Sequence, residues 1–112
     1  DAVARGATVT TGGQIPDRAG SFYPATVLTG VTAGTRLLSE GIFGPVLAIV
    51  PFDTEDEAVE LANATEYGLV SYVYTQDLNR GMRMIDRLET GMMGLEGIDE
   101  YLTTKYTFIP KT

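Results

Sequence analysis

The 112-residue sequence predicts an α/β fold in which a mostly parallel sheet is flanked by helices. First, segments from residue 46 onward alternate in the order strand, helix, strand, helix, strand, which is the pattern of strands joined by helical crossovers. Second, residues 46–52 (VLAIVPF) are apolar at almost every position, and this favours a strand covered on both faces. Third, Thr54 and Asp77 stand where the N-caps of two helices are expected.

The first half of the chain is predicted to contain short strands at 8–11, 25–29 and 46–52. Residues 1–7 are typical of the last turns of a helix, and residues 32–38 of a turn or short helix. The pair Gly12 and Gly13 is a weak candidate for a phosphate-binding loop. A plain turn is favoured, because a polar loop rather than a helix follows the pair.

The second half is predicted to begin with a helix over about 55–64, since Thr54 and Glu57 match a capping box. A strand over 69–75 and a helix from Asp77 through Glu89 follow, and Gly91 supplies the stop. Residues 92–95 predict a short strand, 96–102 are helical in pattern, and 103–109 form a β-prone tail. The expected core positions of the two helices are Ala58, Leu61, Ala62, Leu78, Met82, Ile85 and either Leu88 or Glu89, and Arg80, Arg83 and Arg87 are expected to face solvent.

Composition excludes several functional classes. Fifteen acidic residues against eight basic ones give a net charge of −7, which argues against binding to nucleic acid or to anionic membranes. There is no Cys and no His, so thiol nucleophiles, disulfides, most zinc sites and the usual neutral-pH base are excluded for these residues. No segment has the pattern of a signal peptide or a membrane span, and a cytoplasmic protein of one domain is expected.

Few residues are candidates for chemistry. The acidic cluster at 53 and 55–57 is interpreted as the first turn of a helix rather than as a cation site, and no metal site is predicted. The tyrosines and methionines are interpreted as core or strand residues. Phe43 lies between a helical segment and a Gly-Pro turn, and from its position alone it is interpreted as an aromatic residue packed at that turn.

The order of short motifs along the chain adds a resemblance. The motifs lie at residues 6–8 with 12–13, 22–28, 42–46 (IFGPV), 52–58, 62–63, 66–69, 91–92 and 100–102 with 105–106. In this collinear order they resemble the C-terminal part of the catalytic domain of the aldehyde dehydrogenase superfamily, and most of all its succinate-semialdehyde dehydrogenase branch. The resemblance covers nearly the whole chain, which it makes a single unit over residues 1–112.

The resemblance implies an NAD(P)-dependent oxidation of an aldehyde to a carboxylic acid through a cysteine-bound intermediate. It also implies that the nucleophile, the general base and the dinucleotide-binding domain precede the matched region, so these residues alone are expected to be inactive and to include no catalytic residue. The position that packs near the nicotinamide ribose corresponds to Phe43. The position of a ribose-binding carboxylate corresponds to Gly41, with Glu40 beside it, so that carboxylate is missing unless Glu40 takes its place.

Two further expectations follow from the resemblance. The family usually has a longer loop, which lines the substrate tunnel, where this chain passes from Leu95 to Glu96, so that residues are either deleted or omitted there. The strand matching residues 104–109 takes part in subunit contacts in the family, which implies a homo-oligomer. The alternatives to a part of a dehydrogenase are a non-catalytic binding or assembly module of the same fold and an unrelated small α/β regulatory domain.

Overall fold

The computed structural model describes residues 1–96 and 107–108. The chain divides into two compact units, Asp1–Thr54 and Glu55–Thr112, and each contains a three-stranded sheet. The predicted α/β class is confirmed. Because two such units can belong to one larger domain, the prediction of a single unit over residues 1–112 stays a prediction. No helix in the described ranges is long and apolar enough to cross a bilayer.

The first unit is built on the sheet order β1-β2-β3. Its strands are β1 (Thr8–Thr11), β2 (Thr26–Thr29) and β3 (Val46–Ala48), and its helices are a 3₁₀ turn at Val3–Arg5 and α1 (Arg36–Ser39). Strands β1 and β2 pair antiparallel, whereas β2 and β3 pair parallel, with Thr26 opposite Val46 and Leu28 opposite Ala48. A parallel pair needs a crossover, and α1 lies within that connection.

One face of this sheet carries the core of the first unit. Ala7, Leu28 and Val31 are buried, and the half-buried residues packed against them include Leu37, Leu38, Val46, Ala48 and Val50. Leu47, between two of these, is 58% exposed. Within the described residues, the prediction that the run 46–52 is covered on both faces is therefore wrong. Successive side chains of a strand point to opposite faces, and the described core covers one face of β3.

The pair Gly12 and Gly13 lies in the loop that follows β1. Both residues have positive φ values, 70° and 81°. The Gly13 amide donates to the Thr26 hydroxyl at 2.9 Å, and that buried hydroxyl in turn donates to the Pro24 carbonyl. The Gly13 amide is thus already bonded to a side chain of β2, which argues against a phosphate-binding role for this amide.

The second unit has the sheet order β4-β5-β6. Its elements are α2 (Glu55–Asn63), β4 (Val70–Tyr74), α3 (Leu78–Arg87), β5 (Met92–Glu96) and β6 (Thr107–Phe108). Strands β4 and β5 pair parallel through the α3 crossover, and β5 and β6 pair antiparallel. Each sheet therefore contains one parallel and one antiparallel pair. The sheets are mixed rather than mostly parallel.

The helix boundaries follow local signals. The Asp77 carboxylate accepts hydrogen bonds from the amides of Asn79 and Arg80 at 2.9 and 3.2 Å, which confirms the predicted N-cap. Helix α3 ends at Arg87, two residues earlier than predicted. Glu96 continues β5 opposite Tyr74 and does not begin a helix. The rest of the predicted helix 96–102 lies outside the described residues.

The core of the second unit consists of Val59, Ile85, Leu88 and Met93. On α3, Gly81 and Ile85 face this core, whereas Leu78 is 69% and Met82 45% exposed, contrary to prediction. The buried face of α3 differs from the predicted one because Gly81 leaves room for the Leu95 side chain. A Cβ on Gly81 would lie 2.7 Å from the Leu95 Cδ1 atom. A glycine at the contact lets the helix approach the sheet closely.

Other predicted core residues also differ from expectation. On α2 the buried residue is Val59, Ala58 and Leu61 are half-buried, and Ala62 is exposed. Among the tyrosines and methionines, Met93 is buried and Met84 half-buried, whereas Tyr67, Tyr72, Tyr74 and Met92 are exposed. Tyr101 and Tyr106 lie outside the described residues. Ala62, Tyr72, Tyr74 and Met92 lie in the elements predicted for them, but their side chains are exposed.

The acidic first turn of α2 pairs with the arginines of α3. Glu55 accepts two hydrogen bonds from Arg83, at 2.9 and 2.8 Å, and lies within 3.4 Å of Arg87 and 3.7 Å of Arg80. Asp56 accepts from Arg87 at 2.6 Å. Arg80 and Arg83 are exposed as predicted and Arg87 is half-buried, and in addition the Glu55 carboxylate pairs with all three. No cluster of metal-ligating residues is found in the described part of the chain.

We expect Ile85→Ala to lower the free energy of unfolding by about 2–5 kcal/mol, because it leaves a cavity in the core of the second unit. Met82→Ala on the same helix removes a partly exposed side chain and is the matched control, with an expected loss below about 1 kcal/mol. Urea denaturation followed by circular dichroism measures both. Equal losses for the two variants would contradict the packing described for α3.

The Arg83 hydrogen bonds, followed by the charges of the three arginines, hold the pKa of Glu55 below its ordinary value. A depressed carboxyl pKa adds stability above the unfolded-state pKa, and this is lost as pH falls through the folded-state pKa. We therefore expect Glu55→Gln to destabilise the chain at neutral pH and to have a diminishing effect as the pH falls below the ordinary pKa of a glutamate. Urea denaturation across this pH range measures it, with Glu60→Gln, exposed on the same helix, as control. A pH-independent effect of Glu55→Gln would exclude the ion-pair explanation.

Candidate functional site

The segment 40–46, which we call the corner, joins α1 to β3. At its start the Glu40 amide donates to the Arg36 carbonyl at 2.9 Å and closes the last turn of α1. At its end the Thr26 amide donates to the Pro45 carbonyl at 2.8 Å, and the Val46 amide donates to the Gly44 carbonyl at 2.9 Å. The backbone of the corner is thus tied to a helix on one side and to β2 on the other.

Phe43 projects from the corner into solvent. Its side chain is fully exposed, at 103% of the reference area, and is the most exposed of the large hydrophobic side chains in the described residues. The interpretation of Phe43 as an aromatic residue packed at a turn is therefore wrong. Exposing a phenyl ring is unfavourable by the area it leaves in water, so this ring is suited to contact another group. Its neighbour Ile42 is 45% exposed.

Glu40, next to Gly41, is the acidic residue of the corner. The Arg36 guanidinium donates to both oxygens of Glu40, at 2.8 and 3.1 Å. These hydrogen bonds, together with the charge of Arg36, hold the pKa of Glu40 below its ordinary value. Glu40 is consequently ionised at neutral pH and is unsuited to act as a general acid. Both side chains are more than half exposed, so the pair is screened by salt and weak.

The backbone at Gly41 does not require glycine. The described glycines with positive φ are Gly6, Gly12, Gly13, Gly20, Gly30 and Gly34, and Gly41 is not among them. A glutamate at this position is therefore compatible with the backbone conformation. The carboxylate that the resemblance leads one to expect at position 41 is thus not excluded by the backbone conformation.

Two shallow pockets lie beside the corner. One of about 370 Å³ is mostly apolar and is lined by Ala25, Thr26, Val27, Gly44, Pro45, Val46 and Leu47. The other, of about 230 Å³, is lined by Asp1, Ala2, Leu28, Arg36, Leu37, Glu40 and Ile42. Neither Phe43 nor Gly41 lines either pocket. The structure thus places both predicted residues in one exposed segment between two concave surfaces.

Asp1 is a residue of this region that the sequence did not suggest. Its carboxylate accepts from the Arg36 amide at 2.9 Å and from the Arg5 guanidinium at 3.0 Å. It therefore supplies the side-chain cap that Thr35, the N-cap residue of α1, does not make. Because 35 residues separate Asp1 from Arg36, no local sequence signal predicts this contact.

Comparisons with known proteins identify the family of the chain. The sequence model of the aldehyde dehydrogenase family matches residues 1–107. The chain belongs to this family. It is 53% identical over 94 residues to 3,6-anhydro-alpha-L-galactose dehydrogenase of Streptomyces coelicolor, a match that covers 80% of the chain and 19% of that protein. It is 39% identical over 132 residues to the mitochondrial succinate-semialdehyde dehydrogenase of Rattus norvegicus, covering 95% of the chain and 25% of that protein.

Solved aldehyde dehydrogenases share the fold. The crystal structure of succinate-semialdehyde dehydrogenase from Burkholderia pseudomallei superposes with a TM-score of 0.80 at 42% identity, covering 85% of the chain and 20% of that protein. The aldehyde dehydrogenase of Mycobacterium tuberculosis, solved with NAD⁺, gives a TM-score of 0.75 at 38% identity over 83% of the chain and 20% of that protein. The chain thus spans about a fifth to a quarter of the length of these relatives.

The alignment lengths bear on the predicted loop. The match to the rat enzyme extends over 132 aligned positions although the chain has 112 residues, so at least 20 positions of that enzyme have no counterpart here. Where these positions lie along the chain is not given by the alignment length, so the longer loop beside Leu95 stays a prediction. Leu95 and Glu96 lie in one continuous strand, so a junction between those two residues would fall within β5.

Proposed function

We propose that the chain is the C-terminal part of the catalytic domain of an NAD(P)-dependent enzyme that oxidises aldehydes to carboxylic acids. The observation that carries the proposal is the family match over residues 1–107. Succinate-semialdehyde dehydrogenases among the relatives support a semialdehyde as the substrate class. The Streptomyces coelicolor relative acts on a different aldehyde by its name, so the substrate is proposed as a class.

The proposed role of the corner is to contact the cofactor. NAD(P), when bound, accepts a hydride from the substrate. Phe43 suits a contact with the nicotinamide ribose, because its ring is exposed on a backbone segment held at both ends. Gly41 offers no carboxylate to the ribose hydroxyls, and Glu40 is paired with Arg36. The contribution of the chain to cofactor binding is therefore proposed to be mainly apolar.

We propose either NAD or NADP as the cofactor. The Mycobacterium tuberculosis enzyme was solved with NAD⁺, whereas the succinate-semialdehyde dehydrogenase of Deinococcus radiodurans, 50% identical over 93 residues that cover 83% of the chain and 20% of that protein, is named for NADP⁺. Selection between them depends on groups near the adenosine ribose. The corner is proposed to lie at the other, nicotinamide end, so it does not discriminate between the two.

The oligomer proposal concerns residues 104–109. Of these, Thr107 and Phe108 are described, and they form β6 opposite Leu95 and Gly94. Strand β6 lies at one edge of its sheet, and an edge strand is a surface on which another chain can add a strand. A homo-oligomer through this strand and a cytoplasmic location are part of the proposal.

We expect no aldehyde-dependent formation of NAD(P)H by the 112 residues alone, because they contain no cysteine to form the covalent intermediate. The measurement is the absorbance of reduced nicotinamide, with succinate semialdehyde and each cofactor in turn. A full-length succinate-semialdehyde dehydrogenase is the positive control. Turnover that follows the concentration of the purified chain through successive columns would overturn this expectation.

A binding module without chemistry is the second candidate, and the exposed ring of Phe43 favours it. If the chain is only part of an enzyme, calorimetric titration with NAD⁺ or NADP⁺ is expected to show no binding tighter than about 1 mM. Tighter binding that Phe43→Ala abolishes and Phe52→Ala retains would instead establish the module, since Phe52 is an exposed phenyl ring of the same unit outside the corner. Gly41→Glu, which restores the carboxylate, is expected to strengthen any binding observed.

A further inference from the structure

Helix α2 contributes little apolar surface to the second unit. It has nine residues and is shorter than the roughly 12–15 residues below which isolated helices are marginal in water. Val59 is its one buried residue, Ala58 and Leu61 are half-buried, and Ala62 is exposed. One buried valine offsets only part of the entropy that is lost when nine residues become ordered. Docking of α2 on the unit therefore also needs polar contacts.

The first turn of α2 supplies one set of polar contacts. Glu55 pairs with Arg80, Arg83 and Arg87, and Asp56 pairs with Arg87. All three arginines belong to α3. The pairs therefore hold the beginning of α2 against that helix.

Asn63 supplies a second set of polar contacts at the other end of α2. Its Nδ2 atom donates to the Arg87 carbonyl at 2.9 Å, and its Oδ1 atom accepts from the Glu89 amide at 2.9 Å. Arg87 is the last residue of α3, and carbonyls in the last turn of a helix have no partner within that helix. A carboxamide suits this position because it donates and accepts at once. Asn63 thus caps the end of α3 from a different helix.

The turn that Asn63 contacts is also held without Asn63. The Gly91 amide donates to the Gly68 carbonyl at 2.8 Å. A Cβ on Gly68 would lie 2.8 Å from the Glu89 carbonyl oxygen, so the segment before β4 and the turn before β5 are in close contact. Loss of the Asn63 contacts is therefore expected to leave this turn in place and to release α2.

We propose that α2 is a separately opening element of the second unit. Contacts of Glu55 and Asn63 at its two ends hold it on α3, and when they break α2 detaches while α3 and the β4–β5 pair stay folded. The other members of the core, Ile85, Leu88 and Met93, lie in α3, at its C-cap and in β5, and they remain packed together. Segments with few buried apolar contacts open at the lowest free energy in a domain. This equilibrium is independent of the proposed function.

Native-state hydrogen exchange of the full chain tests the proposal. At low guanidinium concentration, the amides of residues 59–63 in α2 are expected to be less protected than those of residues 82–87 in α3. Their exchange is also expected to depend more weakly on denaturant, because undocking of one helix exposes little surface. Equal protection and equal denaturant dependence of the two segments would overturn the proposal, since α2 would then open only with the whole unit.

Substitutions of Asn63 test its role directly. Asn63→Ala removes both hydrogen bonds and is expected to speed exchange of residues 59–63 by about tenfold or more, and that of Val70–Tyr74 by less than about twofold. Asn63→Asp keeps an acceptor for the Glu89 amide but has no donor for the Arg87 carbonyl, and it is expected to speed exchange of residues 59–63 by about threefold or more.

The matched control is Asn79→Ala, the same substitution at an exposed asparagine of α3, with an expected change within about twofold. An effect of Asn63→Ala no larger than that of the control would contradict the proposal. So would equal acceleration of residues 59–63 and of Val70–Tyr74, or failure of Asn63→Ala to fold, because release of one helix leaves the rest of the unit intact. Exchange of Asn63→Asp at the rate of the unaltered chain would show that the donated bond contributes nothing and would also overturn it.

Discussion

Parallel strand pairing is the constraint on which both units depend. Helix α1 lies in the connection between β2 and β3, and α3 lies in the connection between β4 and β5, because parallel neighbours can be joined only by a crossover. Each parallel pair then gains an antiparallel strand, β1 or β6. In both units a core forms on one face, and apolar side chains such as Leu47 and Tyr72 remain exposed elsewhere. The same pairing thus explains the cores and the exposed apolar side chains.

Charges contribute differently in the two units. In the second unit, Glu55 forms ion pairs with Arg80, Arg83 and Arg87. Its side chain is 24% exposed, so solvent screens these pairs only in part. In the first, Arg36 and Glu40 form a pair in which both side chains are largely exposed. The ion pairs of Glu55 connect α2 to α3. The Arg36–Glu40 pair keeps the Glu40 carboxylate of the corner ionised. Similar ion pairs therefore have a structural consequence in one unit and a local electrostatic one in the other.

The corner combines a backbone held at both ends with an exposed aromatic ring. Its hydrogen bonds to α1 and β2 hold the segment at both ends, so the exposure of Phe43 follows from the position of the segment and not from fraying. The chain belongs to the aldehyde dehydrogenase family and spans only a fraction of the length of its relatives, so the exposure of Phe43 is that of the ring without the rest of such a protein. The proposed contact of Phe43 and Gly41 with the cofactor stays a proposal.

Local patterns in the sequence determined the α/β class, the Asp77 cap and the alternation of side chains along β4, since each depends on residues close in the chain. Ordered motifs along the chain also indicated its family, which the comparisons confirmed. Tertiary structure alone decided that Val59 and Gly81 rather than Ala62 and Met82 face the core, and that Asp1 caps α1. The physical reason is that a helix buries whichever face its neighbouring sheet meets, and neither that contact nor a bond across 35 residues is encoded in local periodicity.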